Sequence, residues 1–205
     1  MSLPTFIHIP RTGGTTIAAA LGYGHRKTQH KPVWAYDTLD RPWTIVRDPY
    51  ERVVSLCAFF YRDRLAKSDR ELTVEEFEQW LRDAVRTKTF VDGYNQEVNL
   101  YANEYYEISA AAPQMSFLDP RNSRQRKGWT EPVIEVFKFE DLRDRWGEVC
   151  DHVGVHVPYP AQNLDNTSRH GPVFSYYLTD YFKRQVESFY KRDFFWLVYG
   201  RWGNN

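Results

Sequence analysis

Thr5-Phe-Ile-His-Ile-Pro-Arg-Thr-Gly-Gly-Thr-Thr16, running directly into Ile17-Ala-Ala-Ala-Leu21, is the stretch from which the fold is read. Its opening residues are mostly β-branched or aromatic and favour a pleated, half-buried strand, whereas the alanine-rich end favours helix. The pattern is strand, glycine loop, helix. Backbone N–H groups of such a loop, together with those that open the helix, converge on one point and can hold a phosphate or sulfate. Gly13 and Gly14 allow close backbone approach, Thr15 and Thr16 offer hydroxyl donors, and Arg11 brings a permanent positive charge. A strand-to-helix turn with a threonine cap contains the same Gly-Gly-Thr, so the motif is decisive only in company.

Its company is a second unit of the same design. Trp43-Thr-Ile-Val46 reads as a strand and enters Arg47-Asp-Pro-Tyr50, after which Glu51 to Tyr61 carries apolar residues at helical spacing. Arg47 falls at a strand end and Ser55 about two helical turns further on, so one phosphate can bridge them. The plain alternative is a helix started by Asp48 and Pro49, with Arg52 in a salt bridge. A nucleotide kinase or GTPase would carry G-x-x-x-x-G-K-[ST]; here no lysine follows the glycine pair and the spacing differs.

Further along, Val74, Phe77, Leu81 and Val85 recur about once per helical turn, and Thr73 with Glu76 forms a capping box, which predicts a helix over 73–85. The short apolar runs Gln114-Met-Ser-Phe-Leu118 and Val133 to Phe139 read as strands, separated by a basic loop from Arg121 to Lys127. Glu140 to His152 reads as helix ending near Gly154, and Leu178 to Tyr190 as another. Pro158 to Pro172 is a polar connection. Alternating strands and helices predict an α/β fold, P-loop-like, with a mostly parallel central sheet flanked by helices. Ligands of such sheets bind beyond the carboxyl ends of the strands, where both loops fall.

The 205 residues are expected to form a single domain, 1–205, large enough to bury a core without metals or disulfides. Lysine and arginine total 27 and aspartate and glutamate 27, so the balance gives no broad electrostatic hold on nucleic acid, and any anion is bound locally. The 2 cysteines, Cys57 and Cys150, lie in partly apolar helical segments and are expected to be buried free thiols. Without an apolar run of about 18 residues or a basic leader before an apolar core, the chain reads as soluble and cytoplasmic.

Taken together, these segments resemble the PAPS-dependent sulfotransferase superfamily, PAPS being 3′-phosphoadenosine 5′-phosphosulfate, and within it the carbohydrate branch with its soluble microbial members. Phe6 to Thr16 is similar to that family's 5′-phosphosulfate loop, and Val46 to Ser55 to its 3′-phosphate segment. Phe137 to Leu142, Trp146, the helix end at Gly154, Asn166-Thr-Ser168 and Tyr190 to Tyr199 follow in the family's usual order, so the resemblance spans most of the chain. It implies that Arg11, Thr12, Gly13, Gly14, Thr15 and Thr16 bind the 5′-phosphosulfate, and that Arg47 and Ser55 bind the 3′-phosphate. The family usually has lysine at the position of Arg11. Arginine keeps the charge but changes reach and geometry, and it does not donate a proton at ordinary pH.

The activity so implied is transfer of a sulfuryl group from PAPS to an acceptor hydroxyl, on a carbohydrate by analogy with the branch, releasing 3′-phosphoadenosine 5′-phosphate and requiring no metal. Such transfer rests on in-line placement and on stabilising the charge that develops on the leaving phosphate. The protein must add a base for the acceptor. His30, lying between the two loops, is the first candidate, His25 the second, and Glu51 a carboxylate alternative. His8 reads as a packing residue. His152 and His156, flanking Gly154, do not read as a metal pair. The cluster Arg121, Arg124, Arg126 and Lys127 reads either as solvated loop charge or as a grip on an anionic saccharide. A binding protein that keeps the loops without turnover is the second functional class.

Overall fold

The fold was obtained as a computed structural model that describes residues 2–24, 30–68, 73–86, 111–119, 133–161 and 179–198. Among these are the strands β1 (Phe6–Ile7), β2 (Trp43–Val46) and β3 (Glu135–Lys138), forming a 3-stranded parallel sheet in the order β1-β2-β3. Phe6 stands opposite Trp43, and Trp43 opposite Glu135. The helices are α1 (Gly14–Ala20), α2 (Pro49–Ser68), α3 (Val74–Arg86), α4 (Gln114–Leu118), α5 (Trp146–Val153), α6 (Asp180–Phe189) and the turn α7 (Lys191–Asp193), which continues as a π turn over Phe194–Val198. The fold is thus α/β with a parallel sheet.

Strand alternation gives the sheet two apolar faces. Phe6, Trp43, Ile45 and Phe137 pack against Ile17, Ala18 and Leu21 of α1 and Val149, Cys150 and Val153 of α5. Ile7 and Val46 point the other way, onto Val33 and onto Met115, Phe117 and Leu118 of α4. A further core joins Val53, Val54, Leu56 and Cys57 of α2 to Phe77 and Leu81 of α3 and to Phe182, Val186 and Tyr190 at the C-terminal end.

Local sequence accounts for most element ends. The Asp48 carboxylate accepts from the N–H groups of Tyr50 (2.9 Å) and Glu51 (3.2 Å) and caps α2. The expected capping box at Thr73 and Glu76 is present in both directions, each bond 3.2 Å. Gly154 closes α5 with φ 77, a left-handed cap that glycine adopts without Cβ strain.

Three expectations need correction. β1 is paired only over Phe6–Ile7 rather than through Ile9: the Ile7 carbonyl accepts from the Thr44 hydroxyl at 2.7 Å, and that of His8 is bonded by His30, so both are engaged by side chains. Gln114–Leu118 is a helix, not a strand. The carboxylate of Asp193 accepts from the N–H groups of Gln114 (2.8 Å) and Met115 (2.9 Å) and so caps the first turn from a distant segment. In an apolar run this short, periodicity does not separate helix from strand, and a partner 79 residues away decides. The expected helix over 140–152 is also divided, with a 3-10 turn at Phe139–Asp141 before α5. His25, the Arg121 to Lys127 cluster, Asn166 to Ser168 and His170 lie outside the described residues.

Candidate functional site

The carboxyl ends of the strands lead into the glycine loop after β1, Arg47-Asp48 after β2 and Phe139-Glu140 after β3. Because the strands are parallel neighbours, these segments meet on one edge of the sheet. Phe139 joins two of them. A Cβ built on Gly13 would lie 2.5 Å from the Phe139 ring, and the Arg47 guanidinium sits 4.7 Å from the centre of the same ring. Gly13 has φ 78, so it answers a backbone and a packing demand at once. At Gly14 an added Cβ would lie 2.2 Å from the ring of His8, whose imidazole is buried and stacked on Phe6. The close approaches recorded at the glycines are therefore made by the protein's own rings.

Arg11 stands at the apex of the loop with φ 66, an uncommon conformation for a residue with a side chain and typical of functional sites held by their surroundings. Its Nε and Nη2 donate to Oγ of Ser55 at 3.1 and 3.0 Å, and its guanidinium lies 4.7 Å from the Phe59 ring centre. The residues expected at opposite ends of one nucleotide are thus in contact. Ser55 is only 1% exposed, so an anion reaching the site meets the partly exposed Arg11 first. Thr12 is buried with its hydroxyl donating to the Ile9 carbonyl at 2.9 Å, which makes that side chain a brace for the loop. Thr15 and Thr16 are partly exposed in the first turn of α1, which no side chain caps at Gly13.

Arg47 is held in three ways. Its Nε and Nη2 donate to Glu51 Oε2 at 3.2 and 3.1 Å, its guanidinium rests on Phe139, and its backbone is bonded by Gln114. The Glu51 candidate for base is therefore the counterion of Arg47. Nη1 of Arg47 has no protein hydrogen-bond partner among the described residues. Arg52, three residues before Ser55, is fully buried and donates to the carbonyls of Pro10 (3.0 Å) and Ala112 (2.9 Å). Burial works against its charge, and Tyr190 and Asp193 offset part of that cost.

His30 lies beside this cluster, its ring 4.3 Å from that of His8. Its Nδ1 is 3.0 Å from the His8 carbonyl. A carbonyl only accepts, so the proton of neutral His30 sits on Nδ1 and the lone pair on Nε2. Burial lowers the His30 pKa from 6.5 to about 4; the His8 bond opposes the shift, and the charges of Arg52 and Arg11 add to it. His30 is neutral near pH 7 in the tautomer that accepts a proton at Nε2.

The other sequence candidates fall elsewhere. His152 Nε2 is 3.2 Å from the Arg41 carbonyl, and His156 pairs with Asp151 at 3.8 Å on the surface. Among the described residues no cluster of metal-ligating side chains occurs. Cys57 and Cys150 are buried free thiols, as expected, and burial raises the Cys57 pKa well above its ordinary value. Sequence reasoning missed Phe139, Gln114 and Asp193. Only Phe139 carried a signal, its place directly after a strand.

No family model, no curated protein and no solved structure matches the chain. The site is therefore defined by its own geometry: a parallel α/β edge where two arginines and a neutral histidine surround a glycine loop. No helix among the described residues is long and apolar enough to cross a membrane.

Proposed function

We propose that this chain is a P-loop-like sulfotransferase that moves a sulfuryl group from PAPS to an acceptor hydroxyl, a carbohydrate by the resemblance of its loops. The observation that carries the reading is the meeting of the glycine loop and the Arg47 segment at adjacent strand ends, joined by Phe139 and by the Arg11–Ser55 contact. Separated loops would be unable to clasp two anionic groups of one adenosine bisphosphate. Arg11 and the opening amides of α1 stabilise charge on the 5′ side as the sulfur leaves the phosphate oxygen. Arg47 offers Nη1 to the 3′-phosphate while Glu51 and Phe139 fix its plane. Ser55 holds Arg11, so its contribution to donor binding runs through that side chain. The acceptor proton goes to Nε2 of His30.

A second reading, a donor-binding protein without turnover, is favoured by one observation: a histidine whose pKa is held near 4 is a weak base. One assay separates the readings. Purified protein is incubated with radiolabelled PAPS and a panel of glycans, small alcohols and tyrosine peptides. Label on an acceptor, with matching release of 3′-phosphoadenosine 5′-phosphate, is the expected result. Tight bisphosphate binding without acceptor-dependent release indicates the binder. Magnesium-dependent ATP binding in place of bisphosphate binding indicates a kinase-like site and overturns both.

A further inference from the structure

The two anion loops are not bonded only to each other. Both are also fastened to one segment, residues 111–115, buried at Ala111, Gln114 and Met115, which no sequence motif marked. Gln114 is fully buried and grips Arg47 at both backbone atoms: its Oε1 accepts from the Arg47 N–H and its Nε2 donates to the Arg47 carbonyl, each at 2.8 Å. Two residues earlier, the Ala112 carbonyl accepts from Arg52, whose Nε holds the Pro10 carbonyl at the start of the glycine loop. The segment is in turn fixed from the C-terminal end. Tyr190 donates its hydroxyl to the Ala111 carbonyl at 2.7 Å, and Asp193 receives the N–H groups of Gln114 and Met115. Arg192 adds an ion pair to Asp119 at the far end of α4.

We infer that Gln114 and Asp193 are positioning residues, and that the Tyr190 to Asp193 turn, acting through segment 111–115, sets the spacing between the glycine loop and Arg47. The inference rests on the proposed function for its meaning, since that spacing is what a two-ended anion would measure. Its physical content does not. Arg52 and Asp193 are buried opposite charges joined by backbone groups, and such networks tolerate few alternative arrangements because each unmade bond leaves a polar group in a low-dielectric interior. A disturbance at Asp193 therefore reaches both loops, although Asp193 bonds to neither, whereas a disturbance at the Gln114 side chain falls first on Arg47, which it bonds at both backbone atoms, and only then on Asp193.

The experiment compares Asp193→Asn, Tyr190→Phe and Gln114→Met with the unaltered chain. Amide hydrogen exchange is followed without ligand at residues 10–16 and 47–51, and affinity for adenosine 3′,5′-bisphosphate is read by calorimetry. Asp193→Asn and Tyr190→Phe are expected to speed exchange in both loops, and Asp193→Asn to weaken bisphosphate binding about tenfold, the scale of one lost hydrogen bond. Gln114→Met is expected to speed exchange most at 47–51, which loses both of its bonds to that side chain, and less at 10–16. Faster exchange confined to 111–119 and 190–196, with both loops unaltered, overturns the inference. Should Asp193→Asn fail to fold, Tyr190→Phe, which removes a single oxygen, decides the matter by the same exchange pattern. Failure of the unaltered chain to bind the bisphosphate overturns the proposed function and leaves the exchange pattern to judge the coupling.

Discussion

Arg47 and His30 are the residues at which the proposed chemistry is most exposed to test. Replacing Arg47 with alanine removes the Nη1 donor and releases Glu51 beside the site, so bisphosphate binding is expected to weaken by about 1–3 kcal/mol, measured by calorimetry. Replacing His30 with glutamine leaves the loops intact, and turnover is expected to fall about a hundredfold or more while donor affinity holds. Unchanged turnover would remove His30 as base. The low pKa of His30 also has a sign. The folded chain holds it neutral down to about pH 4, whereas an ordinary histidine takes up its proton at 6.5, so the unfolded state binds more protons between those values. Stability contributed by neutral His30 is complete above pH 6.5 and is lost as pH falls toward 4. Urea midpoints measured across that window should decline for the unaltered chain and decline less for His30→Gln.

At the scale of elements, the loop after β1 is the critical piece. Gly14→Ala drives a methyl into the buried imidazole of His8, and Gly13→Ala drives one into Phe139 and also strains a positive φ. Each is expected to lose about 1–3 kcal/mol of stability in denaturant titrations, as overpacking usually does. Because Phe139 also carries Arg47, Gly13→Ala should perturb the neighbouring loop as well. The glycine pair was legible in the sequence as a loop between strand and helix, and β2 was legible to the residue, since Trp43–Val46 supplies a buried β-branched and aromatic run. What the glycines pack against was not legible, because Phe139 lies 126 positions from Gly13 and no local pattern pairs them. α4 was misread for the same reason: its first turn is capped by Asp193, and propensity over so short a run yields to that tertiary bond.

At the scale of the whole molecule, the proposed ligand must stabilise the fold that holds it. Saturating adenosine 3′,5′-bisphosphate at about a hundred times its Kd should add about 2.7 kcal/mol. For a domain of this size that raises Tm by roughly 5–10 °C. The rise should persist without magnesium and fade in Arg47→Ala, as read by scanning calorimetry; a magnesium requirement would count against the reading. By itself the sequence determined the alternation of strand and helix, the glycine loop, the helix caps at Asp48, Thr73 and Gly154, and the two buried thiols, because each depends on neighbours within a few residues. Tertiary structure alone decided that Arg11 rests on Ser55, that Gln114 holds Arg47, and that His30 keeps its proton on Nδ1. Most of those partners lie many residues apart in the chain. Burial then fixes which of them bond, since a polar group removed from water must find its partner in the fold rather than in the sequence beside it.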